Sequence, residues 1–178
     1  MCSIIGYYGE NSAAPIIVKG LQRMEYRGYD SVGVAVKGES DISVKKGVGK
    51  VNAVNQDLSI DKMSGFTGIG HTRWATHGVP NDVNSHPHYS NSGELVSIHN
   101  GIIENYESLR EKQKTKGHRF TSDTDTEVIV HQLYDYHLEQ GEDLLSAVKL
   151  TIVDLRGAYA LGVISHNEPG RLIATRSG

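Results

Sequence analysis

Short apolar runs, each about as long as one strand or one amphipathic helix, alternate with polar turns along the whole chain. Runs rich in β-branched and aromatic residues are typical of strands. They lie at 2–8, 32–36, 42–45, 66–72, 95–99, 159–165 and 172–175. The turn-forming segments 37–40 and 167–170 each separate two of these runs, so the pattern predicts two β-hairpins.

Apolar residues at helical spacing lie between the strand-like runs. Ser12 can cap a first helix whose first turn tolerates Pro15. The apolar face of that helix is predicted to contain Ile16, Ile17, Leu21 and Met24. Further helices are predicted over Val51, Val54 and Leu58, from a capping Asn105 to about Lys116, from Thr124 or Asp125 onwards with Val128, Ile129, Leu133 and Tyr136 inward, and over Leu144, Val148, Ile152 and Leu155. Strands joined by hairpins, with helices in separate runs, favour an α+β layered architecture over a parallel, doubly wound sheet.

Residues 73–92 show neither helical nor strand periodicity. A chain of 178 residues is expected to form one domain. A loop of roughly twenty residues inside a compact domain is uncommon and is usually functional. We therefore interpret 73–92 as the loop that contacts a substrate.

Charge and composition exclude several classes of partner. The chain has 18 Lys and Arg against 21 Asp and Glu, a formal charge of -3, without a run of like charges. This balance predicts no nucleic-acid partner and no anionic membrane surface. No apolar run approaches the roughly 18 residues of a membrane-spanning helix. A single cysteine and the lack of a signal-like apolar segment favour a reducing cytoplasm.

Cys2 is the candidate nucleophile because it is the single cysteine and follows the initiator methionine. Once Met1 is trimmed, one residue carries both a thiol, with a pKa near ~8.5, and an α-amine, with a pKa near ~7.7–8.0. The amine can then take the thiol proton, so that no histidine base is needed. The alternative is that Cys2 is a small apolar residue at the start of a buried strand.

Nine histidines raise the question of a metal site, above all His71, His77, His86 and His88. Zinc sites use closely spaced Cys and His ligands, and these histidines do not have a customary spacing. We therefore expect no metal, and the sequence suggests no other cofactor. His131 and His137 lie on a predicted helix, where we expect surface or packing roles.

Five motifs, taken together and in order, resemble one known family. They are CSIIG at 2–6, YRGYDS at 26–31, GHTRWATHG at 70–78, HNGIIEN at 99–105 and SDTDTE at 122–127. The sequence resembles the glutaminase domain of glutamine:fructose-6-phosphate aminotransferases, which are class II glutamine amidotransferases of the N-terminal nucleophile hydrolase fold. Amidophosphoribosyltransferases and asparagine synthetases share the leading cysteine and the Asn-Gly pair, but differ at 26–31 and 73–78. The resemblance implies a four-layer αββα sandwich of two antiparallel sheets covered by helices.

The resemblance also implies roles for individual residues. Cys2 would attack the side-chain amide of glutamine, with the Asn100 side chain and the Gly101 N–H binding the oxyanion. Arg73 would bind the α-carboxylate and Asp125 the α-ammonium of glutamine. The remaining candidates are Trp74, Thr76 and His77, which would line the site, and Arg27, which would support it.

The family further implies a larger protein. Its glutaminase domain runs on beyond Gly178, so residues 1–178 are expected to be a C-terminally truncated glutaminase domain without the sugar isomerase domains. Those domains would use the ammonia to convert fructose-6-phosphate to glucosamine-6-phosphate, and a homodimer would form through them. Two alternatives stay open at this point. One is the glutaminase domain of another class II amidotransferase, and the other is a catalytically silent glutamine-binding module.

Overall fold

The computed structural model describes residues 2–74 and 79–178 of the chain. The strands are β1 (Ser3–Tyr8), β2 (Ser31–Lys37), β3 (Ile42–Val48), β4 (Thr67–Arg73), β5 (His88–Tyr89), β6 (Leu95–Gly101), β7 (Tyr159–Ser165) and β8 (Leu172–Ser177). The α-helices are α1 (Ala13–Met24), α2 (Val51–Leu58), α3 (Tyr106–Thr115), α4 (Glu127–Tyr134) and α5 (Leu144–Asp154). Short 3₁₀ turns cover Glu25–Arg27 and Ile60–Lys62, and a π-helical turn, Asp135–Glu139, extends α4.

The strands form two sheets in which every pair of neighbours is antiparallel. The first sheet has the order β1-β4-β2-β3 and the second has the order β5-β6-β7-β8. Both predicted hairpins are confirmed, because β2 pairs with β3 and β7 pairs with β8.

Helices cover the outer face of each sheet, and the inner faces pack on each other. Apolar residues of α1 and α2 pack on the first sheet, while those of α3, α4 and α5 pack on the second. A third apolar cluster, between the sheets, consists of Ala35, Ile69, Val96, Ile98 and Ile164 with surrounding half-buried residues. The predicted α+β fold, a four-layer αββα sandwich, is therefore confirmed.

Glycines on β4 allow α1 to lie close to the first sheet. A Cβ atom at Gly70 would come within 2.4 Å of Ile17 Cγ2, and one at Gly68 within 2.8 Å of Ile17 Cδ1. Because side chains alternate between the two faces of a strand, these glycines face α1 while Ile69 faces the second sheet. The glycine-rich sequence of β4 thus lets helix and sheet approach each other without loss of the inner apolar face.

Some boundaries differ from the predictions. The segment 73–92 is not one continuous loop, because Arg73 ends β4 and the two residues of β5 pair with β6. A strand of two residues is too short to show alternation. Helix α4 begins at Glu127, later than predicted, because 122–126 form a hydrogen-bonded turn around the Glu127 carboxylate.

The predicted caps and faces also need correction. The Ser12 and Asn105 side chains make no capping hydrogen bond to their helices. Asn105 instead joins α3 to the end of α5, since its side chain binds the Asp154 carbonyl and the Arg156 N–H. On α1, Ile16 is only half-buried, and Ala13, Ala14 and Val18 complete the buried face.

Within the described part of the chain, no helix has the length and apolar character needed to cross a membrane.

Candidate active site

Three strand ends meet at one edge of the sandwich. β1 and β4 are antiparallel, with Ser3 opposite Thr72, so Cys2 lies beside the end of β4 where Arg73 is found. β6 ends at the same edge, because the Asn100 side-chain amide donates to the Cys2 carbonyl over 3.0 Å. Residues far apart in the sequence are therefore brought together by the pairing of the strands.

The Cys2 thiol lies against the main chain of Trp74. The Trp74 N–H donates to Sγ over 3.2 Å, and Sγ lies 3.5 Å from the Trp74 carbonyl oxygen, to which the thiol can donate. Burial raises the pKa of the Cys2 thiol above its ordinary value, and the Asp30 carboxylate acts in the same direction. The Trp74 N–H and the Arg73 guanidinium oppose this effect. The thiol is thus mainly protonated at neutral pH, and its reaction as a nucleophile needs a base.

Gly101 adopts a backbone conformation that suits glycine. Its φ angle is 133°, and a Cβ atom there would lie 2.1 Å from the Ala158 carbonyl oxygen. A side chain at this position is therefore excluded both by the φ angle and by contact with the neighbouring chain. Asn100 and Gly101 together present a side-chain amide and a closely approached backbone at the end of β6.

Arg73 is a buried cation at the end of β4, with 3% of its surface exposed. Burial lowers the pKa of the guanidinium, whereas Cys2, Asp30 and Asp125 raise it. Asp30 also donates its backbone N–H to the Arg73 carbonyl over 3.0 Å. A guanidinium stays charged even when its pKa is lowered somewhat, so Arg73 brings a fixed positive charge to the site.

Asp125 is a buried anion that precedes α4, with 4% of its surface exposed. Its Oδ2 accepts the Ile103 N–H over 2.8 Å. Its Oδ1 has longer contacts, 3.5 Å to the Thr126 hydroxyl and 3.9 Å to His99 Nδ1. Asp125 acts electrostatically on Arg73, so the site holds a cation and an anion within electrostatic reach of each other.

The other predicted site residues are less clearly placed. Trp74 is 47% exposed, and its ring meets the Tyr29 ring edge-on, with 6.0 Å between the ring centroids. Thr76 and His77 lie outside the described residues. Arg27 ends the 3₁₀ turn between α1 and β2 and is half-buried.

Sequence reasoning missed two features of the site. Asp30 lies in the motif at 26–31, but no role was predicted for it. A buried group of four histidines, His71, His86, His88 and His99, lies around the contact between β4 of the first sheet and β6 of the second; we call it the inter-sheet histidine cluster. Its sequence signal was the position of His71 two residues before Arg73 and of His99 directly before Asn100.

The inter-sheet histidine cluster is held by main-chain groups and hydroxyls. His71 Nε2 donates to the His99 carbonyl over 2.8 Å, and the His71 ring stacks on His86 with 4.0 Å between centroids. Burial lowers the pKa of His71 to about 3 and lowers the pKa values of His86 and His88 well below the ordinary value. These three rings are therefore neutral at physiological pH.

Of the four histidines considered as metal ligands, His71, His86 and His88 lie within the described residues and His77 lies outside them. Within 2–74 and 79–178, no group of three or more His, Cys, Asp or Glu side chains is arranged to hold a metal ion. His131 and His137 are both buried, so their role is packing and not surface exposure.

The family model and the relatives that match this chain agree with one another. The model of the "Glutamine amidotransferase domain" family matches residues 55–176. The glutamine--fructose-6-phosphate aminotransferase [isomerizing] of Thermococcus kodakarensis is 48% identical over 177 residues, which cover 99% of this chain and 29% of that protein. The protein of the same name from Pseudomonas aeruginosa is 50% identical over 179 residues, covering 100% and 29%. The chain thus spans about 29% of the length of these relatives.

Solved structures show the same fold. The glutamine phosphoribosylpyrophosphate amidotransferase from B. subtilis, complexed with ADP and GMP, has a TM-score of 0.79 and 26% sequence identity. The match covers 93% of this chain and 35% of that one.

Proposed function

The chain belongs to the glutamine amidotransferase domain family, and from that premise we propose that it hydrolyses glutamine to glutamate and ammonia through a thioester on Cys2. Residues 1–178 would serve as the glutaminase domain. The observation that carries the proposal is the contact of the Asn100 side-chain amide with the Cys2 carbonyl. It holds a hydrogen-bond donor beside the residue that carries the candidate nucleophile, although the two residues are almost a hundred positions apart in the sequence.

The reaction begins after Met1 has been removed. The Cys2 α-amine accepts the thiol proton, and Sγ attacks the side-chain amide carbon of glutamine. The carbon–nitrogen bond then breaks, the amine returns the proton to the departing nitrogen, and ammonia leaves. Water hydrolyses the thioester and releases glutamate. The raised pKa of the Cys2 thiol supports this role for the amine, because a protonated thiol needs a base.

Negative charge develops on the carbonyl oxygen of the substrate during attack. We assign the Asn100 amide and the Gly101 N–H as the donors that stabilise this oxygen. The close backbone approach at Gly101 supports the assignment, because a Cβ atom there would displace the neighbouring strand. Removing one such donor typically costs roughly 2.7–4 kcal/mol of transition-state stabilisation.

The two charged ends of glutamine are assigned to Arg73 and Asp125. The planar guanidinium can hold the α-carboxylate with two parallel hydrogen bonds. The free accepting capacity of Asp125 Oδ1, whose contacts are 3.5 Å and 3.9 Å, suits the α-ammonium. We further propose that Trp74, Thr76 and His77 line the glutamine site and that Arg27 supports it.

The proposed destination of the ammonia follows from the relatives. Their printed name includes fructose-6-phosphate and an isomerizing reaction, and this chain corresponds to 29% of their length. We propose that the remaining length of a longer protein carries sugar isomerase domains that accept the ammonia and make glucosamine-6-phosphate. Identities near 48% to these relatives, against 26% to the phosphoribosylpyrophosphate enzyme, support this acceptor over another.

Covalent labelling tests the proposal directly. The purified chain is treated with 6-diazo-5-oxo-norleucine, an electrophilic analogue of glutamine, and its intact mass and peptide map are measured. We expect a protein mass without Met1 and one adduct on Cys2. Excess glutamine should prevent formation of this adduct. Retention of Met1, or an adduct elsewhere while Cys2 stays unmodified, would contradict the mechanism.

A further inference from the structure

We infer that His99 and Thr126 are positioning residues for Asp125, and that they set the selectivity of the site for substrates that carry an α-ammonium group. The inference rests on the proposed function, since it concerns how Asp125 binds glutamine. His99 touches Asp125 only through a 3.9 Å contact, so its effect is exerted mainly through the Thr126 hydroxyl.

The hydroxyl of Thr126 is the centre of the arrangement. Its Oγ1 lies 2.8 Å from His99 Nδ1, 3.4 Å from His86 Nε2 and 3.5 Å from Asp125 Oδ1. A hydroxyl has one proton to donate and two lone pairs to accept with. Two ring N–H groups and one carboxylate oxygen would therefore use its capacity completely.

A hydrogen bond from the main chain determines which ring nitrogen of His86 carries the proton. The His99 N–H donates to His86 Nδ1 over 3.4 Å, and a ring nitrogen that accepts a hydrogen bond carries no proton. The neutral His86 ring therefore carries its proton on Nε2, which faces Thr126 Oγ1. His86 thus donates to the Thr126 hydroxyl.

The negative charge of Asp125 determines which atoms donate in the hydrogen bonds between His99 and Thr126 and between Thr126 and Asp125. When His99 carries its proton on Nδ1 and donates it to Thr126 Oγ1, the positive end of this N–H dipole also lies near Asp125 Oδ1. Thr126 then has its own proton free for Asp125 Oδ1, so the two rings donate to the hydroxyl and the hydroxyl donates to the carboxylate. The opposite tautomer of His99 would turn a lone pair towards this anion.

The same hydrogen bonds connect Asp125 to the chain that carries the proposed oxyanion donors, Asn100 and Gly101. Asp125 Oδ2 accepts the Ile103 N–H, two residues after Gly101, and His99 directly precedes Asn100. One carboxylate oxygen is thus held by the chain that follows β6, while the other faces the hydroxyl of Thr126 at a distance that leaves it able to accept an ammonium proton. The network fixes this orientation before substrate binds, which is how a preorganised site gains affinity.

Two substrates separate this role from a general structural one. Glutaramate is glutamine without the α-amino group, so it cannot use Asp125. We compare kcat/KM for glutamine and glutaramate by ammonia release, in the wild type and in His99→Gln. The side-chain amide of the glutamine introduced in His99→Gln cannot replace the Nδ1 group of His99. We therefore expect kcat/KM for the substrate glutamine to fall at least about tenfold in this variant, while kcat/KM for glutaramate changes less than about threefold.

Matched variants control for misfolding. The asparagine of His99→Asn places an amide near the position of Nδ1, and Thr126→Ser keeps the hydroxyl, so both should retain most of the preference for glutamine. Thr126→Val removes the hydroxyl and should lose the preference as His99→Gln does. His131→Gln changes another fully buried histidine, further along α4, and should leave the ratio of the two kcat/KM values unchanged.

The outcomes distinguish the inference from the proposed function. A wild-type chain that releases no ammonia from glutamine would overturn the proposed function, and this inference with it. An active wild type in which His99→Gln and Thr126→Val lower kcat/KM equally for both substrates would overturn the inference alone.

Discussion

The space between the two sheets has two unlike ends. At one end, Ile69, Val96 and Ile98 pack with residues of β2 and β7 in an apolar cluster. At the other end, the same strands present Arg73 on β4 and Asn100 on β6. Because alternate residues of a strand share a face, each strand changes from apolar to polar within four residues on its inner side. Stability and reactivity are therefore separated along the strands, and changes at the two ends should have different consequences.

The largest effect is expected at the oxyanion position. Asn100→Ala removes the amide that contacts Cys2, and we expect kcat to fall about 10²–10³-fold while the free energy of unfolding changes little. Steady-state ammonia release and urea unfolding measure the two effects. Asn91→Ala, which changes an exposed asparagine bound to Arg119, is the control and should keep kcat within about twofold. A loss of less than about tenfold, equivalent to ~1.4 kcal/mol, would remove Asn100 from this role.

The next effect is expected at the carboxylate position. Arg73→Lys keeps the charge but loses the planar fork, and hydrogen bonds to charged groups are worth about 1.5–3 kcal/mol. We therefore expect the KM for glutamine to rise about ten- to one-hundredfold, with a smaller change in kcat. The KM is obtained from initial rates over a wide range of glutamine concentrations. An unchanged KM would show that Arg73 does not bind the substrate.

The apolar end should show the opposite behaviour. Ile164 is fully buried on β7 in the apolar cluster, at the end remote from Asn100. Ile164→Ala is expected to lower the free energy of unfolding by about 2–5 kcal/mol, because it leaves a cavity. Below the unfolding transition, kcat should stay within about threefold of wild type. A large loss of kcat in the folded variant would contradict the separation of the two ends.

The effect that is smallest per pH unit concerns the inter-sheet histidine cluster. His71 has a folded-state pKa of about 3, below its ordinary value of 6.5, so the unfolded chain binds more protons between these values. Its contribution to stability is complete above pH 6.5 and is lost as pH falls towards 3. Between pH 6.5 and pH 3, one such group changes the free energy of unfolding by at most about 1.4 kcal/mol per pH unit.

His71→Gln checks this pH effect, because its amide can still donate to the His99 carbonyl but does not titrate. Urea unfolding at several pH values between 7 and 4 should give a shallower loss of stability for His71→Gln than for wild type. Identical slopes would mean that His71 does not titrate as its burial predicts.

The sequence predicted the elements that have clear periodicity. The two hairpins, α2 and α5 were predicted from alternation and helical spacing, and the αββα arrangement from the five motifs. β5 could not be predicted, because two residues carry no alternation and the strand exists only through its pairing with β6.

The site was predicted less completely than the fold. Cys2, Arg73, Asn100, Gly101 and Asp125 were chosen from motifs, and the structure brings Cys2 into contact with Asn100 and within electrostatic reach of Arg73. The contact of His99 with Thr126 could not be predicted from the sequence. Alternation places His99 on the helix-facing side of β6, but its partner there depends on the turn at 122–126, which has no periodicity.

The proposed reaction requires the Cys2 thiol to attack an amide with its own α-amine as the base. The most direct measurement is the rate of ammonia release from glutamine by wild type and by Cys2→Ala, both verified by mass to lack Met1. We expect steady release by wild type and no release above the uncatalysed background by Cys2→Ala. Release by Cys2→Ala at a rate close to that of wild type would contradict the proposed reaction.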